Sequence, residues 1–197
     1  MADLSDPIRR LRTEVSWLRE EFHAAAASVH TRREQLAAEM AVVRIYDAWA
    51  RYCRELVILS ASGNCLTLGG TVVPAVVRRR SDVMPALLAT YARRKQYEPK
   101  WASATECIDV AKRLNIANFA TLAAAVGATN SPADEIRHVR NYYAHRRRGA
   151  AQRALSCNVF LGHKPIVFDL AAYRNAGETF LDSWIKGLVL VATSASQ

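Results

Sequence analysis

Ser131-Pro132-Ala133-Asp134-Glu135-Ile136-Arg137-His138-Val139-Arg140-Asn141-Tyr142-Tyr143-Ala144-His145-Arg146-Arg147-Arg148 reads as one helix from end to end. Ser131 is a capping residue, Pro132 a first-turn proline and Glu135 a capping-box acid, which makes this the best-marked helix start in the chain. Asp134 and Glu135 sit where the helix dipole is positive, and Arg146 to Arg148 sit where it is negative.

The same signals recur on both sides. Ser5-Asp6-Pro7 opens a helix in which Ile8, Leu11, Val15, Leu18 and Phe22 repeat at helical spacing. Thr31-Arg32-Arg33-Glu34 matches a capping box, so a second helix begins there or the first continues through it. Its expected buried stripe is Met40, Val43, Tyr46, Ala50, Cys53 and Val57, and Gly63-Asn64 supplies the stop near Ser60. Residues 62 to 80, with Gly69-Gly70 and Pro74, read as a loop with room for a short strand, ending in the basic turn Arg78-Arg79-Arg80. Ser81 caps a helix carrying Met84, Leu87, Leu88 and Tyr91, which runs into Arg93-Arg94-Lys95 and is limited by Pro99. Helices are expected over about 103–114 and 118–126. After the 131–148 helix the chain is irregular to 168, with Val159-Phe160 and Ile166-Val167-Phe168 as a candidate hairpin. Phe180, Trp184, Leu188 and Val191 mark a final helix. The expectation is an all-α fold of five to seven helices, with residues 1–30 as an N-terminal helical arm and 31–197 as the helical domain.

A chain of 197 residues with about half its residues hydrophobic can bury a real core. Its net charge of +9 favours a polyanionic partner, most simply nucleic acid, over a merely solvated basic surface. Cys53, Cys65, Cys107 and Cys157 form no C-x2-C pair, which disfavours a zinc site and a disulfide framework; no His, Asp or Glu set suggests a metal either. No cofactor is implied. The N-terminal stretch alternates apolar with Arg and Glu residues, unlike a signal peptide, and the longest apolar run, Gly187 to Ala192, is too short to span a bilayer. A cytoplasmic protein is expected.

The chemistry concentrates at Arg140-Asn141-x-x-x-His145. Histidine moves protons near neutral pH, whereas arginine keeps its charge, a pairing suited to phosphodiester chemistry. Spacing alone carries little, since 22 Arg and 5 His give roughly 0.6 Arg-x4-His pairs by chance. Asn141 and His145 are i,i+4 neighbours, so the amide can fix the imidazole tautomer. Arg140 and His145 lie about 140° apart around the helix. One helix therefore does not bring both onto one phosphate, whereas a second copy alongside could. Against this stand plainer roles: Arg140 as an ion-pair partner of Asp134 or Glu135, Tyr142 and Tyr143 as core aromatics, and Arg146 to Arg148 as a solvated helix end.

Arg140-Asn141-Tyr142-Tyr143-Ala144-His145 resembles the R-x4-6-H motif of the HEPN superfamily, and Tyr46-Asp47-Ala48-Trp49-Ala50-Arg51-Tyr52-Cys53-Arg54-Glu55-Leu56 resembles the long second helix of its prokaryotic members. The resemblance covers residues from about 31 to 192. It implies a bundle of four to five core helices, here with an extra N-terminal helix and a short irregular insertion able to hold a strand. It also implies a metal-independent endoribonuclease of the toxin or antiphage-defence type, working as a homodimer on RNA, with an antitoxin or defence protein as a further partner. A catalytically silent RNA- or protein-binding adaptor is the alternative. The implied catalytic residues are Arg140, His145 and Asn141, with Arg146, Arg147 and Arg148 on RNA and either Asp47 or Glu55 as the acidic companion. Some family toxins carry a tyrosine two residues after the histidine that a partner enzyme adenylylates; Arg147 stands there instead.

Overall fold

The computed structural model describes residues 2–27, 31–63, 65–90, 98–128, 131–175 and 177–197. Among them the chain is mostly helical: α1 (Ser5–Ala27), α2 (Arg32–Ser62), α3 (Val83–Ala89), α4 (Ala104–Arg113), α5 (Phe119–Val126), α6 (Ala133–His145), α7 (Arg148–Leu155), α8 (Val167–Leu170) and α9 (Phe180–Ala195). Two small antiparallel hairpins interrupt the helices, β1 (Cys65–Leu66) with β2 (Val72–Val73) and β3 (Tyr173–Asn175) with β4 (Glu178–Thr179). No helix among the described residues is long and apolar enough to cross a membrane.

The chain forms two compact units: Met1–Leu11 with Trp49–Ser131 and Val189–Gln197, and Arg12–Ala48 with Pro132–Leu188. This differs from the division into a 1–30 arm and a 31–197 domain. The apolar stripe of α1 is buried along its length: Ile8 and Leu11, with Leu4 just ahead of the helix, in the first unit, and Val15, Leu18 and Phe22 in the second.

In the first unit, Trp49, Tyr52, Cys53, Leu56 and Val57 of α2 form the core with Cys107, Val110, Leu122 and Val126 of α4 and α5. The Tyr52 hydroxyl donates to the Ala192 carbonyl at 2.8 Å, which gives a fully enclosed phenol its partner. α2 stops at Gly63, whose φ of +98° suits glycine, and a Cβ there would lie 2.4 Å from that of Ala75. The Ala61 carbonyl left open at this end accepts from the Val76 and Val77 amides. β1 lies in the loop that the sequence leaves open for a strand, and Leu4 N–H donates to Leu66 C=O at 2.9 Å beside it. α3 follows a 3-10 turn over Arg80–Asp82 and ends at Ala89. Tyr91 and the basic run Arg93-Arg94-Lys95 lie outside the described residues.

In the second unit, Val15, Leu18 and Phe22 of α1 share a core with Ala38, Val42 and Ile45 of α2, Ile136 and Val139 of α6, and Leu181, Trp184 and Leu188 of α9. Each large side chain withdrawn from water here contributes about 1.5–3 kcal/mol before the cost of ordering the chain. Thr31 and Glu34 close the expected capping box at the start of α2, with Thr31 N–H on Glu34 Oε2 at 3.0 Å and Glu34 N–H on Thr31 Oγ1 at 3.3 Å. The buried stripe of α2 in this unit runs through Ala38, Ala41, Val42, Ile45 and Ala48, so the expected Met40, Val43 and Tyr46 lie on its flank and Met40 is exposed. The candidate hairpin at 159–168 is also replaced: Val167 begins the short helix α8, and the hairpin lies at β3–β4.

Candidate functional site

α6 presents Ala133, Ile136, Val139 and Tyr143 to the core. At 100° per residue this places Arg140 at the edge of the buried face, Arg137 and Asn141 further round, and His145 on the far side. The structure follows that order: Arg140 and Asn141 are half-buried and His145 is exposed.

The arginines of this helix have distinct partners. Arg137 pairs with Asp134 at 3.1 Å, one turn earlier. Glu135, the other acid at the start of α6, accepts the Trp184 indole N–H at 2.7 Å. Arg140 therefore faces neither acid. Among the described residues it has no carboxylate within ion-pairing distance; its Nη1 donates to Asn141 Oδ1 at 3.3 Å, and its buried Nε has no partner. Its guanidinium carbon lies 5.9 Å from the centre of the Tyr46 ring on α2. Asn141 thus serves the arginine instead of fixing the His145 ring.

Beyond His145 the helix ends in a knot that sequence reasoning missed. Arg146 takes the left-handed conformation, φ +50°, and its N–H bonds to the Tyr142 carbonyl at 2.7 Å. Its guanidinium bonds to Glu39 of α2, an acid only 3% exposed that also accepts from Gln35 Nε2 at 3.0 Å. The same guanidinium lies 5.0 Å from the Tyr142 ring centre and 5.4 Å from that of Tyr143. Burial works against the Arg146 charge, but the bonds to Glu39 and Tyr142 outweigh it and hold its pKa above the ordinary value. Arg146, although exposed, is thereby committed to Glu39, which leaves Arg147 and Arg148 as the exposed members of the expected RNA-binding triplet without a carboxylate among the described residues. The available signal was Glu39 itself, an acid between Ala38 and Ala41-Val42 on a buried stripe.

The two acids proposed as companions differ. Glu55 belongs to the first unit, where Arg80 bonds to both its carboxylate oxygens and Arg54 lies at 3.5 Å. Asp47 is half-buried in the second unit, next to Tyr46. Tyr46 is itself half-buried. Burial raises its phenol pKa, and the nearby positive charges of Arg137 and Arg140 pull the other way. His138, two residues before the motif arginine, is held below the ordinary histidine pKa by burial and by Arg137. Among the described residues no three His, Cys, Asp or Glu side chains gather as a metal site.

A second polar cluster in this unit surrounds Asp182 near the start of α9. Thr179 N–H and Oγ1 donate to Asp182 Oδ2 at 3.2 and 2.7 Å, while Arg19 and His23 of α1 reach Oδ1 at 2.5 and 3.0 Å. Burial alone would raise this carboxyl; the four donors outweigh it and hold it well below the usual carboxylate range.

No protein-family model matches the chain, and no curated protein or solved structure matches it significantly.

Proposed function

We propose that this chain is a HEPN-like endoribonuclease that cleaves RNA through the substrate's own 2′-hydroxyl, with Arg140 and His145 as its working residues. What supports this most is the state of Arg140. It is a half-buried cation whose neighbours Arg137, on the same helix, and Arg146, at its end, each have a carboxylate, yet among the described residues it has none. Withdrawing such a charge from water without a counter-ion is unfavourable, and a phosphate oxygen is a partner its planar fork fits. The exposed His145 supplies a proton carrier on the same helix.

In the reaction the 2′-oxygen attacks phosphorus while the bond to the 5′-oxygen breaks. The 2′ proton passes to a base, an acid protonates the departing 5′-oxygen, and the products are a 2′,3′-cyclic phosphate and a 5′-hydroxyl. His145 carries one of these protons and Arg140 offsets the charge that develops on the phosphorane oxygens. Asn141, bonded to Arg140, orients the guanidinium. Two transfers need two proton carriers, so a second copy of the chain contributes its own His145 across a two-fold axis. The biological role that fits is a toxin or antiphage effector restrained by a partner protein.

A second reading has its own support. Within one chain Arg140 and His145 are about 140° apart on the helix, so a lone subunit can hold a phosphate without cutting the strand. That is the behaviour of an RNA-binding adaptor. Controlled expression separates the two. The nuclease reading expects growth arrest by the native chain and relief by His145→Ala at equal protein level. Equal arrest by both would favour the adaptor.

A further inference from the structure

We propose that Arg137, Arg140 and Tyr46 together form a phosphate-binding cradle, so that one subunit brings two arginines to a single phosphate group of the strand; the identity of that strand as RNA rests on the reading above. Arg137 lies three residues before Arg140, about 60° from it around α6, so the two stems descend the same side of the helix. Both guanidinium groups act electrostatically on the Tyr46 phenol, and Arg140 also lies over its ring. Among the described residues the Nε atoms of both arginines are buried without a partner, the signature of donors arranged for an acceptor from outside.

The three side chains complement one another. Arginine forks present parallel N–H donors to an oxyanion, and a phosphate has enough oxygens to engage two forks and a phenol together. Two groups oppose the anion. Asp134 holds Nη2 of Arg137, but that i,i+3 pair is exposed, with 67% of the Asp134 side chain accessible, and such pairs are weak. Asp47 adds negative charge near Tyr46. Binding therefore draws the guanidinium groups outward from Tyr46 and exchanges the unpartnered N–H for phosphate oxygens. The cradled phosphate is then the one whose developing charge Arg140 offsets, and with His145 of the same subunit about 140° away around the helix, the second copy brings its own His145 to it.

Calorimetric titration with hexathymidylate tests this, because DNA binds through its phosphates but lacks the 2′-hydroxyl needed for cleavage. Arg137→Gln should weaken binding about tenfold, as loss of a charge-assisted bond does. Lys186→Gln, which removes the same charge elsewhere, should change it less than about twofold. Tyr46→Phe alters no charge and keeps the ring, so a loss of a few-fold there reports the hydroxyl alone. A parallel titration with inorganic phosphate shows whether a free phosphate is also accepted. Loss of either ligand in both cradle variants, with melting temperatures unchanged, supports the cradle. Equal effects of Arg137→Gln and Lys186→Gln, with no effect of Tyr46→Phe, overturn it. RNA cleavage is scored separately: a protein that binds through Arg137 but cuts nothing keeps the cradle and loses the nuclease. One that cuts through His145 with Arg137-independent binding does the reverse.

Discussion

Removing Arg146 should harm this protein more than neutralising the acid it binds. Arg146→Ala leaves Glu39 in a site where its side chain is only 4% exposed, with Gln35 as its one remaining donor among the described residues. Losing one member of a buried pair costs about 3–5 kcal/mol. Here the figure falls to about 2–3 kcal/mol, because the Arg146 side chain is 37% exposed and water screens part of the pair. Glu39→Gln removes the buried charge while keeping the shape and an oxygen to accept from Arg146 or Gln35. The guanidinium can then turn to water, so the loss is about 1 kcal/mol. In a chain of this length the two variants should melt about 5–10 °C and about 2–4 °C lower respectively. The double variant should recover part of the Arg146→Ala loss, since no unpaired charge is left inside. Circular dichroism at 222 nm with urea or heat gives all three values. Equal losses, or a double variant worse than Arg146→Ala alone, would refute the idea that a buried carboxylate anchors the end of α6.

Three further outcomes are expected. Because Asp182 titrates below the ordinary carboxyl value of about 3.9 when folded, the unfolded chain binds more protons in acid. Its contribution is complete above about pH 4 and declines as pH falls through the folded value. Urea midpoints measured from pH 6 to pH 2.5 should fall less steeply for Asp182→Asn than for the native chain. Arg147 and Arg148, exposed beyond the motif, should each contribute to RNA affinity through phosphates; either Gln substitution should lower the salt slope of binding by about 1 without altering sequence preference. Sedimentation at micromolar concentration should give a dimer, and a monomer that still cuts RNA would contradict the two-copy site.

Much of the architecture was legible because local chemistry agreed with the final packing. The Thr31–Glu34 box, the glycine stop at 63 and the run Phe180–Val191 each gave a boundary found within a few residues. The α2 stripe failed for a definite reason. Residues 38 to 48 are apolar on more than one face, so Met40-Val43-Tyr46 and Ala38-Ala41-Ile45 both satisfy helical spacing, and only α1, α6 and α9 decide which turns inward. The division of α1 and α2 between two units has no local signature at all, because both helices run unbroken through the boundary. At the site, the motif order around α6 follows from its period. Which arginine stays free of an acid does not, since Asp134, Glu135 and Glu39 lay within reach of several choices. Asp134 took Arg137, Trp184 took Glu135, and a left-handed turn carried Arg146 to Glu39. The first of these is a local i,i+3 pair, the second is tertiary, and the third depends on one backbone dihedral.

The most direct test of Arg140 and His145 as a ribonuclease pair is cleavage of mixed-sequence RNA and matched single-stranded DNA in EDTA, with the native chain beside Arg140→Ala and His145→Ala. The expected result is RNA cut to 2′,3′-cyclic phosphate and 5′-hydroxyl ends, DNA left intact, and both variants slower by at least about a hundredfold, as for loss of a general acid–base or a charge-stabilising group. Cutting of DNA at a rate similar to RNA, or full activity in either variant, would contradict it.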